Sequence, residues 1–184
     1  EGTVSTSELT FTPENWNAPQ TFTVTGVDDA IADGNQSFTI QTSIANNSDD
    51  ANYLNLNPAD VNLVNLDNDI PNVLIAQTDG NTSVTEGEIT DSYSVVLTTA
   101  PTSDVNITLT PDNQINLGSP VTLTFTPDNA TTPQTINVTA VDDADVEGLH
   151  TSIISHSISS ADANYNAIQI ADVAVNIADN DLPT

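Results

Sequence analysis

The 184-residue sequence contains no lysine, arginine, cysteine or methionine, and its aromatic content is one Trp, three Tyr and four Phe. Against this stand 26 acidic residues, giving a formal net charge of -26. No carboxylate can pair with a basic side chain other than histidine. Each must be solvated, hydrogen-bonded, or neutralised by cations from outside the chain. Phosphate recognition rests on Lys and Arg, so nucleic acid is excluded as a partner, and so is polybasic attachment to anionic lipid. Without Cys there are no disulfides, thiolate metal sites or cysteine nucleophiles, and soft-metal chemistry goes with them. No apolar run is long enough to span a bilayer and no charged-then-apolar leader is visible, so no direct membrane insertion is expected and any export signal would lie outside these residues. The absence of Lys and Arg also removes trypsin-type cleavage sites, which suits an extracellular or cell-surface location, while a generally acidic proteome accounts for it equally well.

Asn, Thr, Ser and Asp are abundant, a composition that on charge alone suggests disorder. Periodicity argues otherwise. Val105-Asn106-Ile107-Thr108-Leu109 and Val173-Ala174-Val175-Asn176-Ile177 alternate apolar and polar residues as half-buried strands do, and no segment carries a helical stripe.

An internal repeat organises the chain. Leu9-Thr10-Phe11-Thr12-Pro13 recurs as Leu123-Thr124-Phe125-Thr126-Pro127, and Pro19-Gln20-Thr21 as Pro133-Gln134-Thr135. Val24 to Asp29 matches Val138 to Asp143, Asp50-Ala51-Asn52-Tyr53 matches Asp162-Ala163-Asn164-Tyr165, and Asp67-Asn68-Asp69 matches Asp179-Asn180-Asp181. The offset falls from 114 to 112 in the loop before the Tyr. A period of this size is a whole domain. The complete copy, 71–184, predicts about seven strands, near 73–77 with 82–85, 91–99, 104–110, 121–126, 133–141, 149–158 and 172–178. Turn signals separate them, which points to an all-β, antiparallel Greek-key sandwich. The first copy, 1–70, holds counterparts only of the later strands. It is expected to be an incomplete sandwich whose missing strands come from upstream sequence or a neighbouring molecule.

Val84-Thr85-Glu86-Gly87-Glu88, the Leu-Thr-Phe-Thr-Pro and Pro-Gln-Thr segments, Val-Asp-Asp followed by Asp33-Gly34 or Glu147-Gly148, and the closing Asp-Asn-Asp together resemble the Calx-beta repeat. The resemblance covers 72–182 and the later part of the pattern in 1–70. It implies tandem Ig-like sandwiches of the kind found in exchanger regulatory regions and large bacterial surface proteins, with Ca²⁺ held at one end. Carried over motif by motif, it implies Glu86, Asp142, Asp143, Glu147, Asp179 and Asp181 as ligands in the second copy, and Asp28, Asp29, Asp33, Asp67 and Asp69 in the first, which lacks the early Glu. Asn68 and Asn180 interrupt an acidic triplet, and Gln36 and His150 stand where the pattern has a second acid.

The acidic clusters support the same chemistry independently. Ca²⁺ takes six to eight hard oxygens, which loops from separate strands supply readily. Double Asp follows an alternating strand in each copy, and residues two apart in Asp-Asn-Asp point the same way. With no basic residue present, converging carboxylates repel unless a cation joins them. Read alone, an Asp pair makes turns; the recurring set reads as metal ligands.

His150 and His156, six apart in a strand-like run, read as surface residues rather than zinc ligands. Trp16 aligns with Ala130 and reads as a loop-packing residue. Tyr53 and Tyr165 resemble the corner Tyr that ties a sandwich loop to its backbone. No nucleophile with its base, phosphate-cradling loop or paired glycosidase carboxylates is present, so no enzyme is expected. The expectation is a calcium-binding structural or adhesive repeat of an extracellular protein, in contact with adjacent repeats or neighbouring copies. The alternatives are a filament or sheath subunit assembling by strand complementation, and a passive carrier segment of a secreted enzyme.

Overall fold

The structure, a computed structural model, describes residues 1–45, 49–54, 56–118 and 121–182. The chain forms two compact units, one of Glu1–Asp29 with Asp33–Asn68, the other of Asp69–Thr184 with Ala30–Ala32.

In the second unit the apolar alternation becomes a β-sandwich. The strands are β5 (Val73–Gln77), β6 (Thr82–Thr85), β7 (Asp91–Leu97), β8 (Val105–Pro111), β9 (Ile115–Asn116), β10 (Thr122–Phe125), β11 (Gln134–Ala140), β12 (His150–Ser160) and β13 (Val173–Ala178). One sheet has the order β10-β8-β12-β13-β6 and the other β5-β7-β11-β9. The odd-numbered residues of β8 from Val105 to Leu109 and of β13 from Val173 to Ile177 are buried, as their period of two requires. They close on Val95, Phe125, Val138 and Ile154, all fully buried. Burying each such side chain stabilises the domain by about 1.5–3 kcal/mol.

Three sequence expectations need correction here. The run 73–85 changes sheet at Thr78-Asp79-Gly80, a single 3₁₀ turn with Asp79 at φ 52° and Gly80 at φ 83°. As a result β6 pairs with β13 in parallel, Ile177 opposite Val84, inside an otherwise antiparallel fold. His150 and His156 are not on the outer surface: they share the inward face of β12 with the buried Ser152 and Ile154. Trp16 does not pack, being 66% exposed where its counterpart Ala130 is 2% exposed. Two short elements escaped the strand pattern, β9 and the one-turn helix α1 (Ala163–Asn166), which Asp162 caps through the Asn164 amide.

In the first unit β1 (Gly2–Val4) pairs with β2 (Val24–Gly26), and β3 (Gln36–Ile40) with β4 (Val61–Asn65). These are the counterparts of β9, β11, β12 and β13. The registers coincide: Gln36 faces Asn65 as His150 faces Ile177. Local hydrogen bonds repeat as well. The Thr12 amide donates to Asn15 Oδ1 as Thr126 does to Asn129 Oδ1, and Gln20 Nε2 reaches the Thr10 carbonyl as Gln134 Nε2 reaches Thr124, both at 2.8 Å. The two-residue length difference falls in the loop containing 46–48, outside the described residues.

Residues 1–68 contain no counterpart of β5 to β8, and the packing reflects it. Phe11 is 54% exposed, Tyr53 49% and Val61 42%, whereas Phe125, Tyr165 and Val173 are at most 1% exposed. One substitution pair compensates locally. A Cβ on Gly2 would stand 2.5 Å from the Phe38 ring, so the large residue sits on β3. In the second unit the order reverses, with Ile115 at the Gly2 position and Ser152 at the Phe38 position.

Candidate metal centre

Four chain segments converge at the end of the second unit where β6, β11 and β13 finish and β12 begins. Glu86 follows β6, and its amide donates to the Ala178 carbonyl at 3.1 Å, extending the parallel pairing by one residue. Gly87, at φ 64°, turns the chain there. A Cβ on it would stand 3.0 Å from Asp142 Oδ1 and 3.1 Å from Asn180 Nδ2, so the Glu-Gly pair lets two loops approach. Asp142 and Asp143 follow β11, Glu147 and Gly148 lead into β12, and Asp179 and Asp181 follow β13.

Asp179 organises these loops. Its Oδ2 accepts from the Glu147 and Gly148 amides, both at 2.7 Å, and its Oδ1 from the Asp181 amide at 2.7 Å. The Gly148 and Asp181 amides chiefly hold the Asp179 carboxyl below the usual carboxylate range, with smaller help from the Glu147 amide and His150. The first unit repeats the motif: the Gly34 amide donates to Asp67 Oδ2 at 2.6 Å, and Gly34 and Gly148 share a left-handed backbone.

Glu86 is only 1% exposed, and its Oε2 has no hydrogen-bond partner. Asp181 Oδ2 is likewise buried and without a partner. Burial raises the Glu86 pKa, and the charges of Asp179, Asp143, Glu147 and Asp181 raise it further. Burial raises Asp181 too, with Asp179, Asp142, Asp143 and Asp145 adding to it. An apposition of this kind, without one Lys or Arg in the chain, disfavours the charged forms and favours any divalent cation that enters.

Ligand atoms of Glu86, Asp179 and Asp181 lie within 4.8 Å of one another, and so do those of Glu86, Glu147 and His150. Oxygens on opposite sides of a Ca²⁺ ion are about 4.6–5.2 Å apart, so the all-carboxylate group can close on one such ion. The Glu147 carboxylate is steadied by Gln114 Nε2, 2.7 Å and 2.6 Å from its two oxygens.

The remaining predicted ligands are placed differently. Asp142 flanks the groups and accepts from Asn180 Nδ2 at 3.0 Å. Asp143 takes the Asp145 amide on its Oδ1 at 2.8 Å. Asn180 therefore does more than interrupt an acidic triplet: it also donates to the Glu86 carbonyl at 2.9 Å and joins two of the loops. Among the described residues, Asp28, Asp29, Asp33, Asp67 and Asp69 enter no group of three metal-binding side chains. The second copy's groups are built around Glu86, for which the first copy has no counterpart in this sequence. Sequence reasoning passed over Gln114 and Asp145. Asp142-Asp143-Ala144-Asp145 signalled the latter, but Ile31 holds that place in the first copy, so the repeat did not.

The Calx-beta domain profile matches residues 3–69 and again residues 116–181. No curated protein sequence matches the chain. Among solved structures, the apo-form Calx CBD1 domain is similar at 17% identity and TM-score 0.38, over 59% of this chain and 98% of that one. The calcium binding domain CBD12 of CALX1.1 is similar at 18% identity and TM-score 0.40, over 59% of this chain and 45% of that one. Domains 4 and 5 of the S-layer protein SbsC are similar at 16% identity and TM-score 0.34, over 66% of this chain and 58% of that one.

Proposed function

The chain belongs to the Calx-beta domain family, and from that premise we propose that it is a Ca²⁺-binding structural or adhesive repeat segment of an extracellular or cell-surface protein. The observation that carries this reading is Glu86, a buried carboxylate with an unpartnered oxygen, grouped within 4.8 Å with ligand oxygens of Asp179 and Asp181. In the absence of any basic side chain beyond two histidines, a hard dication is the species that satisfies all three. Mg²⁺ fits less well, since it retains its waters and needs fewer carboxylates.

Asp179 and Asp181 lie on the segment that leaves the sandwich after β13, so an ion shared with Glu86 ties that outgoing segment to the loop after β6. Repeated along an array, this fixes the exit direction of each domain, which is what a stalk or matrix element requires. Repeat boundaries at 1–70 and 71–184 and contact with adjacent repeats belong to the same proposal. The test is melting temperature and small-angle scattering with calcium and with chelator. Calcium should raise the melting temperature and extend the particle, and no change on chelation would refute the reading.

A second reading, assembly by strand complementation, is favoured by the exposure of Phe11, Tyr53 and Val61. Sedimentation velocity separates the two: concentration-dependent oligomers support assembly, whereas a monomer at all concentrations leaves the calcium-stiffened repeat alone.

A further inference from the structure

We propose that His150 is a nitrogen ligand which, with Glu86 and Glu147, forms a second metal position suited to a borderline dication such as Zn²⁺, beside the all-oxygen position at Glu86, Asp179 and Asp181. The inference rests on the reading of this end of the domain as a metal centre and adds a chemically distinct position to it.

His150 opens β12 and faces inward. Its Nδ1 lies 2.9 Å from the Gly148 carbonyl oxygen. A carbonyl only accepts, so Nδ1 carries the hydrogen, and in the neutral ring Nε2 presents its lone pair. A backbone carbonyl on one imidazole nitrogen is the usual device that orients the other toward a metal. Nε2 is buried and has no hydrogen-bond partner. It points toward Glu147 Oε2, 3.6 Å away.

Two electron-rich atoms held this way repel unless a cation lies between them, and that cation is a proton or a metal. A charge-assisted N–H···O bond spans about 2.7–2.9 Å, well short of the observed separation. Two ligands about 2.05 Å from a tetrahedral Zn²⁺ stand about 3.4 Å apart, close to it. The third member, Glu86, is buried, and its Oε2 has no hydrogen-bond partner. Gln114 fixes the Glu147 carboxylate, and Asp179 fixes the loop through the Glu147 and Gly148 amides, so both ligands have oriented supports. Imidazole with carboxylate selects Zn²⁺ and its neighbours, whereas carboxylates alone select Ca²⁺. The first repeat carries Gln36 at this place, its Nε2 bonded to the Asp33 carbonyl at 3.0 Å, so the nitrogen position is particular to the second repeat.

The test titrates ZnCl₂ into the full chain in saturating CaCl₂ by calorimetry, and follows the imidazole ¹⁵N resonances by NMR. The variants are His150→Gln, which restores the first repeat's residue, and His156→Gln as a control for the other imidazole, with circular dichroism confirming that each folds. Zn²⁺ affinity should fall at least tenfold in His150→Gln and hold in His156→Gln, Ca²⁺ affinity should change less than twofold, and the His150 Nε2 resonance should move with zinc but not with calcium. Equal zinc affinity in wild type and His150→Gln, or an unmoved Nε2 resonance, would overturn the proposal and leave His150 as an ion-pair partner of Glu147 only. Release of one Ca²⁺ for each Zn²⁺ bound would overturn the two-position arrangement. Zinc bound through His150 in a chain that takes no calcium would instead refute the calcium reading while keeping the nitrogen position.

Discussion

Glu86→Gln is the perturbation that separates a metal centre from a set of turn-forming acids. The amide is isosteric with the carboxyl but supplies no charge to a cation. At calcium a hundredfold above its dissociation constant, the wild-type domain gains about 2.7 kcal/mol from binding to the folded state alone. The second unit runs from Asp69 to Thr184. At about 2.1 cal/mol/K per residue that corresponds to an unfolding entropy of roughly 0.24 kcal/mol/K, so the gain appears as a rise of roughly 11 °C. Differential scanning calorimetry of wild type and Glu86→Gln, each with calcium and with EDTA at pH 7, should show that rise in the wild type and little of it in the variant. In EDTA the variant should melt at or above the wild type. The sign follows from linkage: a carboxyl raised above its ordinary 4.5 costs the metal-free fold stability as pH climbs through the raised value, and the cost vanishes below 4.5, where both forms are neutral. An equal calcium shift in both proteins, or an EDTA melt of the variant well below the wild type, would refute the reasoning.

The repeat supplies its own controls for packing. Phe125→Ala should cost about 3–5 kcal/mol in urea unfolding, while Phe11→Ala, at a half-exposed site, should stay within about 0.5 kcal/mol. Tyr165→Phe removes a hydroxyl that donates to the Thr99 carbonyl and shares a hydrogen bond with its Oγ1, both at 2.7 Å. It should cost about 1–2 kcal/mol, and Tyr53→Phe should leave the urea midpoint unchanged. His156 Nε2 lies 3.0 Å from Tyr93 Oη across the two sheets, and burial holds its pKa below 6.5 against the opposing Ala171 backbone and Asp172 charge. The unfolded chain therefore takes the proton first as pH falls below about 6.5, and stability drops. Urea midpoints between pH 7 and 5 should show that drop in the wild type and a flatter profile in His156→Gln.

Much of the sandwich was legible because its strands alternate cleanly: Val105 to Leu109 and Val173 to Ile177 were placed by period alone. The repeat fixed equivalences that the hydrogen bonds reproduce, down to Gln20 with Thr10 and Gln134 with Thr124. What escaped has physical reasons. β9 is two residues long, too short for a period. The parallel pairing of β6 arises from a left-handed turn at Asp79-Gly80 that redirects the chain between sheets without interrupting the apolar pattern. His150 and His156 read as surface residues with no copy in the first repeat, yet register with Ile154 turns them inward. At the candidate site, the acids visible in sequence are those on strand ends. Gln114 reaches Glu147 from another loop, and Asn180 links Glu86 to Asp142. No spacing rule encodes either contact.

In the proposed function, one end of the second domain holds calcium through Glu86. A crystal structure of the chain grown in calcium chloride, with anomalous difference maps, tests it most directly. An ion is expected about 2.3–2.6 Å from a Glu86 carboxylate oxygen, with oxygens of Asp179 or Asp181 in the same coordination sphere. A map without calcium at these carboxylates, or with calcium bound only at the exposed acids elsewhere, would contradict it.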